Sequence, residues 1–357
     1  MPRDLQKLVE DGFSLGEPAS EHGDLSTTSA RLALRAYAAS YRAVRLDIGS
    51  TDGQSPDVTT PDYWDAAAET VLHLQHFAEL ALKDVLRDRH ELLAVDTGRN
   101  HLLLDRLLHG EPLAIDDETP LRTVEAGVTL DRVLALLRGG RLGPEYAFIE
   151  RHFRFISSLN NLRNRLWHRG TFILRYHALD DLVGCYALPF LEDAFALPRY
   201  SEFREFVFGR LPACGIDPFA AIRAECSLPK RNWRKVALLK ELARASYEVP
   251  VDMHPTSAHD TEERAEAALQ RVSRLADRHW FYIKDTTCPV CGLDALVVFG
   301  IQRNPTADAH ARQYGRPTRS SPSGWARCYG CTFEVTKSLG NVAGFGLPID
   351  ELWGDAL

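Results

Sequence analysis

The chain has 357 residues, 45% hydrophobic and 25% charged, which describes a folded protein long enough for two or three domains. No run approaches the ~20 consecutive apolar residues of a membrane helix, and the opening MPRDLQKLVEDGFSLGEP carries acids where a signal peptide has its apolar core, so a cytoplasmic chain is expected. With 42 basic against 49 acidic residues, the net charge of −7 excludes a polybasic nucleic-acid coat but not a local basic site.

Residues 1–60 read as an N-terminal segment of helix and loop. A short helix is predicted near Leu5–Glu10, an Ala-, Leu- and Arg-rich amphipathic helix from Thr28 to Asp47, and a loop of turn residues from Gly49 to Asp62. Residues 61–215 read as an antiparallel bundle of four or five helices. The longest uninterrupted pattern runs from Tyr63 to about Asp88, with Leu72, Phe77, Leu80, Leu82 and Val85 as its apolar band. Helices are also predicted at Asn100–His109 and Thr129–Leu137, and at Glu145–His168 behind a Gly143-Pro144 start signal. In the last of these, Phe148, His152, Phe155, Leu159, Leu162 and Leu166 alternate steps of four and three, the seam of a packed helix.

Residues 216–284 form a set of accessory helices, and at residues 285–357 the texture turns to β. Of seven cysteines, Cys185, Cys214 and Cys226 are scattered singly and read as apolar fillers or inert surface thiols. The others form two Cys-x-x-Cys knuckles, Cys288 with Cys291 and Cys328 with Cys331, separated by 36 residues. Each knuckle presents two thiolates, and two knuckles close a tetrahedral sulfur shell around a soft metal. With the flanking β segments this looks like a zinc ribbon holding structural Zn2+, whose extra length falls in the Asn304–Gly324 loop. Arg312, Arg316 and Arg319 of that loop, near Tyr314, suit single-stranded RNA; docking onto the helices or binding a protein are equal alternatives. Trp233 lies among basic residues, where a core anchor is the commoner outcome, and DRHWFYIK at Asp277 reads as an aromatic hinge behind the ribbon.

Charge is unevenly spread. Residues 148–176 hold six Arg against Glu150, a local +5, and residues 227–245 hold Lys230, Arg231, Arg234, Lys235, Lys240 and Arg244 against Glu241, again +5. Two basic strips on an acidic body are what local phosphate recognition requires. Within the first strip stands NNLRNRLWHRG, with Arg163, Asn164 and His168. Asn164 and His168 are four apart and share a helix face. Arg163 and His168 are five apart, roughly 140° around the axis at ~100° per residue. Either the helix ends at His168, as Gly170 permits, or two copies of the helix combine their residues.

The string R-N-x-x-x-H near a helix end resembles the signature of the HEPN superfamily (higher eukaryotes and prokaryotes nucleotide-binding), over roughly residues 63–210. LQHFAELALKDVLRDRHELL at Leu74–Leu93 is similar to the family's first helix and NHLLLDRLL at Asn100 to its second. The resemblance implies a HEPN-like helical bundle acting as a homodimer. Its implied activity is that of a metal-independent endoribonuclease, a hydrolase of toxin–antitoxin or antiviral defence systems. In such enzymes the RNA 2′-OH attacks the adjacent phosphate and leaves a 2′,3′-cyclic phosphate. His168 would be general acid or base, Arg163 would stabilise charge on phosphorus, and Asn164 would orient His168 or hold the phosphate. Arg165, Arg169, Arg316 and Arg319 are the expected RNA contacts. Glu79 and Lys83 are accessory candidates; Glu79 either reaches the cleft and tunes His168 or forms an exposed i,i+4 pair with Lys83. Gly170 stands where toxins silenced by a nucleotidyltransferase carry Tyr, so that regulation is not expected, although an inhibitor or sensor protein is a possible partner. The alternative reading is a non-catalytic RNA- or nucleotide-binding sensor or adaptor that recruits partners through its ribbon.

Overall fold

A regular four-and-three spacing of small and aromatic residues starts the fold. Helix α1 (Leu25–Val44) buries Ala30, Ala33, Leu34, Tyr37, Ala38, Tyr41 and Val44 on one stripe. That stripe lies along α2 (Pro61–Arg87), whose Tyr63, Ala67, Leu74, Phe77 and Ala78 answer it, and alanines on both sides let the axes come close. Pro61 opens α2 at the position where a missing N–H costs nothing. The computed structural model describes residues 25–48, 56, 60–96, 98, 101–110, 122–169, 172–247, 258–278, 281–300 and 324–353. The expected Leu5–Glu10 helix and the Asn304–Gly324 loop, except Gly324, lie outside the described residues.

Beyond α2, a two-residue strand β1 (Val95–Asp96) pairs antiparallel with β2 (Arg122–Thr123). Helix α3 (His101–Leu108) lies between them in sequence, and α4 (Ala126–Arg138) follows. The predicted Glu145–His168 helix is interrupted. A 3-10 turn at Pro144–Tyr146 and one helical turn at Phe148–Arg151 precede the main helix α5 (Phe153–Arg169). The break falls at His152, and Asp193 meets both side chains there: His152 Nε2 lies 2.8 Å and Arg151 Nη2 3.2 Å from Asp193 Oδ2. The apolar seam survives the break. Phe148, Phe155 and Leu159 are buried, and Leu162 and Leu166 are half-buried.

Helix α6 (Tyr176–Asp181) continues through a π-helical stretch at Leu182–Ala187 into α7 (Leu188–Ala194). Gly184 sits in the π stretch because α8 (Pro218–Cys226) presses on it; a Cβ there would lie 2.4 Å from Cys226 Sγ. Asp217 caps α8 by accepting from the N–H groups of Phe219 and Ala220, both at 3.0 Å. Helices α9 (Trp233–Tyr247) and α10 (Ala258–Arg278) complete the helical body.

The chain ends in a four-stranded antiparallel meander: β3 (Tyr282–Thr286), β4 (Leu296–Gly300), β5 (Gly324–Cys328) and β6 (Glu334–Thr336), in that spatial order. Of the aromatic segment predicted as a hinge, Tyr282, Ile283 and Lys284 enter the edge strand β3, Phe281 packs edge-on against Trp325, and His279 and Trp280 lie outside the described residues. The protein is mainly helical with a small C-terminal sheet, and its apolar core runs without a gap from α1 through the sheet.

Helix α9 joins the two parts by carrying two buried charge clusters. Lys240 Nζ lies 2.7 Å from Asp180 Oδ1, both side chains fully buried, with Nζ 4.4 Å and 3.9 Å from the ring centroids of Tyr37 and Tyr176. Burial lowers the Lys240 pKa, and Asp180 opposes that shift. One turn away, Arg244 forks onto Glu241 at 2.6 and 2.7 Å and donates from Nη2 to the Thr332 carbonyl at 2.6 Å. Glu241 in turn accepts from the Glu334 N–H at 2.8 Å. Burial raises the Glu241 pKa against the pull of Arg244. The sheet also holds α1: Thr336 Oγ1 donates to the Arg45 carbonyl at 2.6 Å, and Ser338 donates to the same oxygen.

Candidate functional site

The four paired cysteines converge. Cys288 and Cys291 stand in the turn between β3 and β4, Cys328 ends β5, and Cys331 precedes β6, so both knuckles lie at one end of the meander. Their Sγ atoms all fall within 4.8 Å of one another, with Cys288–Cys331 and Cys291–Cys328 at 3.6 Å. A tetrahedron with ~2.3 Å metal–sulfur bonds has edges of ~3.8 Å, so the four sulfurs match a metal shell with little adjustment.

Backbone N–H groups point at the sulfurs: Val290 N reaches Cys288 Sγ at 3.4 Å, and Gly330 and Cys331 N reach Cys328 Sγ at 3.3 Å. The close packing lets neighbours share protons, which holds Cys291 and Cys328 below and Cys288 and Cys331 above the ordinary thiol range. Four thiolates at this spacing repel one another, and a bound cation removes that penalty. Among the described residues, this is the one group of His, Cys, Asp or Glu arranged to hold a metal ion. The Ala213 and Cys214 N–H groups donate to the Val290 and Pro289 carbonyls at 2.9 Å, so the first knuckle leans on the helical body.

The second predicted site lies along α5. Arg163 Nη1 donates to Asn164 Oδ1 at 3.1 Å on a solvent-facing stretch, beside Trp167 at 67% exposure. The helix continues to Arg169, one residue past the end expected at His168. His168 and Arg169 occupy the final turn, and their side chains lie outside the described residues, as do Gly170, Arg316 and Arg319. Arg165 lays its guanidinium on Phe172, 3.7 Å from the ring centroid.

Glu79 and Lys83 do form an i,i+4 pair, at 2.6 Å, but it is not an exposed one. The Lys83 side chain is 6% and that of Glu79 24% accessible, and Gln75 Nε2 donates to the second Glu79 oxygen at 2.9 Å. Burial pushes the Glu79 pKa up, but the hydrogen bonds from Lys83 and Gln75 outweigh it and hold the carboxyl below its usual range. Glu79 lines a cleft together with Ser157 and Asn160 of α5. That level is some eight residues, ~12 Å, before His168 along α5.

The second basic strip is largely neutralised within the fold. Arg231 pairs with Asp181, Lys235 with Glu225 at 3.1 Å, Lys240 with Asp180 and Arg244 with Glu241. Four of its six cations are therefore structural, a distinction that a charge count alone does not make. Trp233 is half-buried and stacks on the His177 ring at 4.1 Å. Burial lowers the His177 pKa. No family model matches this chain, and neither the curated proteins nor the solved structures contain a match to it.

Proposed function

We propose that the protein is a metal-independent endoribonuclease of HEPN type acting on single-stranded RNA, with a role in toxin or antiviral defence. The reading is carried by one observation: Arg163 and Asn164 meet at 3.1 Å on the exposed side of α5, one turn before His168 in an R-N-x-x-x-H string. The planar guanidinium of Arg163 suits a phosphate whose charge grows in the transition state. The 2′-OH loses its proton to His168 and attacks phosphorus, the P–O5′ bond breaks, and an imidazolium returns a proton to the departing O5′. Positions five apart on an ideal helix are roughly 140° apart around its axis, so a homodimer that pools residues from two copies of α5 belongs to this reading.

Zn2+ is the metal we assign to Cys288, Cys291, Cys328 and Cys331, because four thiolates select a soft ion and complete its shell. With no open position, it supplies folding energy and takes no part in the cleavage. The test uses the purified full chain and single-stranded RNA in buffer free of added divalent ions, with analysis of product ends. Cyclic phosphate termini that vanish in His168→Ala and Arg163→Ala establish the reading. Equal cleavage by wild type and His168→Ala removes it.

A further inference from the structure

Between α2, α4 and α5 lies a cleft of about 210 Å3. At ~30 Å3 per water it has room for about seven waters, far more than a hydration site and about the scale of one purine ring. Gln75, Glu79 and Asn160 form its polar side, Leu82 and Ile156 its apolar floor, and Phe153, 39% exposed, stands at its rim. Asp131 adds a second carboxylate to a lining that, among the described residues, includes no Lys or Arg, and the buried Lys83 donates to Glu79. A phosphate is therefore the wrong occupant. A neutral planar group with N–H donors on its edge is the right one.

The Glu79 carboxylate is fixed in orientation. Oε1 accepts from Lys83 Nζ at 2.6 Å and Oε2 from Gln75 Nε2 at 2.9 Å. Each oxygen keeps a further lone pair, so the group offers two parallel acceptor sites. Among the four RNA bases only guanine presents two adjacent N–H donors, N1–H and the exocyclic amine, on its pairing edge. Adenine and cytosine set a ring nitrogen acceptor beside their amine, and uracil flanks its single N–H with carbonyls, so each would bring a lone pair against the carboxylate. Phe153 supplies the aromatic surface on which an unstacked base rests. Asn160 stands one helical turn, ~6 Å, before Asn164, the distance over which one nucleotide carries its base from its phosphate.

We propose that this cleft is a base-recognition subsite that selects guanine in single-stranded RNA, next to a phosphate held at Arg163 and Asn164. The inference rests on the nuclease reading for the place of the phosphate, but its own observable is binding.

Titration calorimetry of the full chain with guanosine 3′-monophosphate and its adenosine, cytidine and uridine counterparts tests it. The guanosine nucleotide is expected to bind at least tenfold more tightly than the other three. Gly127 lines the cleft and a Cβ there would meet nothing within 4 Å, so Gly127→Leu adds bulk at the lining with no clash at its Cβ and is expected to bring guanosine binding down to the level of the rest. Glu79→Gln lowers the preference, and the Gly127 variant covers the case in which loss of the Lys83 partner unfolds α2. Equal binding of all four nucleotides, binding of none, or a guanine preference that survives Gly127→Leu overturns the proposal. A chain that prefers guanine but cuts no RNA keeps the subsite and loses the nuclease. A chain that cuts RNA without base preference keeps the nuclease and loses the subsite.

Discussion

Helix α9 places two buried ion pairs side by side, and they are built on different principles. Lys240–Asp180 is closed off between the rings of Tyr37 and Tyr176, and among the described residues the pair makes no hydrogen bond to the sheet. Glu241–Arg244 instead has its polar atoms joined to the sheet through the Thr332 carbonyl, the Thr332 hydroxyl at 3.1 Å and the Glu334 N–H. The first pair is enclosed within the helical body, where apolar residues of similar volume could replace it. The second ties one part of the molecule to the other. A buried pair is a poor guarantee of stability on its own, and its worth depends on what else its atoms hold.

The largest effect is expected where the sheet is opened from its four-cysteine end, if the proposed zinc sits there. Structural zinc in small modules is worth on the order of 10 kcal/mol of folding energy, so Cys288→Ser or exhaustive chelation should melt β3–β6. Protection of β4 amides in hydrogen exchange should be lost, while α2 amides remain protected. Next comes Lys240→Ala, which leaves Asp180 charged in a dry site and should cost ~3–5 kcal/mol in urea unfolding. The paired change Lys240→Met with Asp180→Leu should recover most of that loss. If the double variant is as unstable as the single one, the contrast between the two pairs fails.

Glu241→Ala should cost less, ~1.5–3 kcal/mol, because Arg244 keeps its two Thr332 contacts. Its distinguishing mark is faster proteolysis of the sheet with the helical body intact. A smaller effect should follow pH. The folded-state pKa of His177 lies below its unfolded value near 6.5, so the unfolded chain takes up the proton first as pH falls. The stability given by the neutral ring is complete above pH ~6.5 and declines below it. His73 shifts in the same direction through burial. Between pH 7.5 and 5.5 the melting temperature should fall, and His177→Phe should reduce the slope. Smallest of all is the exposed Arg138–Glu150 contact at 3.2 Å, whose removal by Glu150→Gln should stay within ~0.5 kcal/mol.

Much of this was readable in advance, for identifiable reasons. The helices at 61–87 and 126–138 follow uninterrupted apolar stripes, and the cysteine quartet follows from knuckle spacing, both local properties of the chain. The break at His152 was not readable, because the apolar spacing runs straight across it and the Asp193 that meets it lies forty-one residues away. Lys240 and Arg244 were counted as part of a basic strip because their acids come from other turns or carry a second bond to the sheet. Glu79 was recognisable as a partner of Lys83 but not as the wall of a cleft, since the opposite walls belong to α4 and α5. Spacing reports what one segment offers; it does not report which distant carboxylate will answer it.

The Arg45 carbonyl and the Thr336 hydroxyl, 291 positions apart, close on each other. During synthesis the end of the earliest described helix must wait for this bond until residue 336 has been made and has left the ribosome. Separations of that kind slow folding. A nascent or prematurely terminated product therefore lacks the clasp that secures its first helix, and quality-control proteases should find it there.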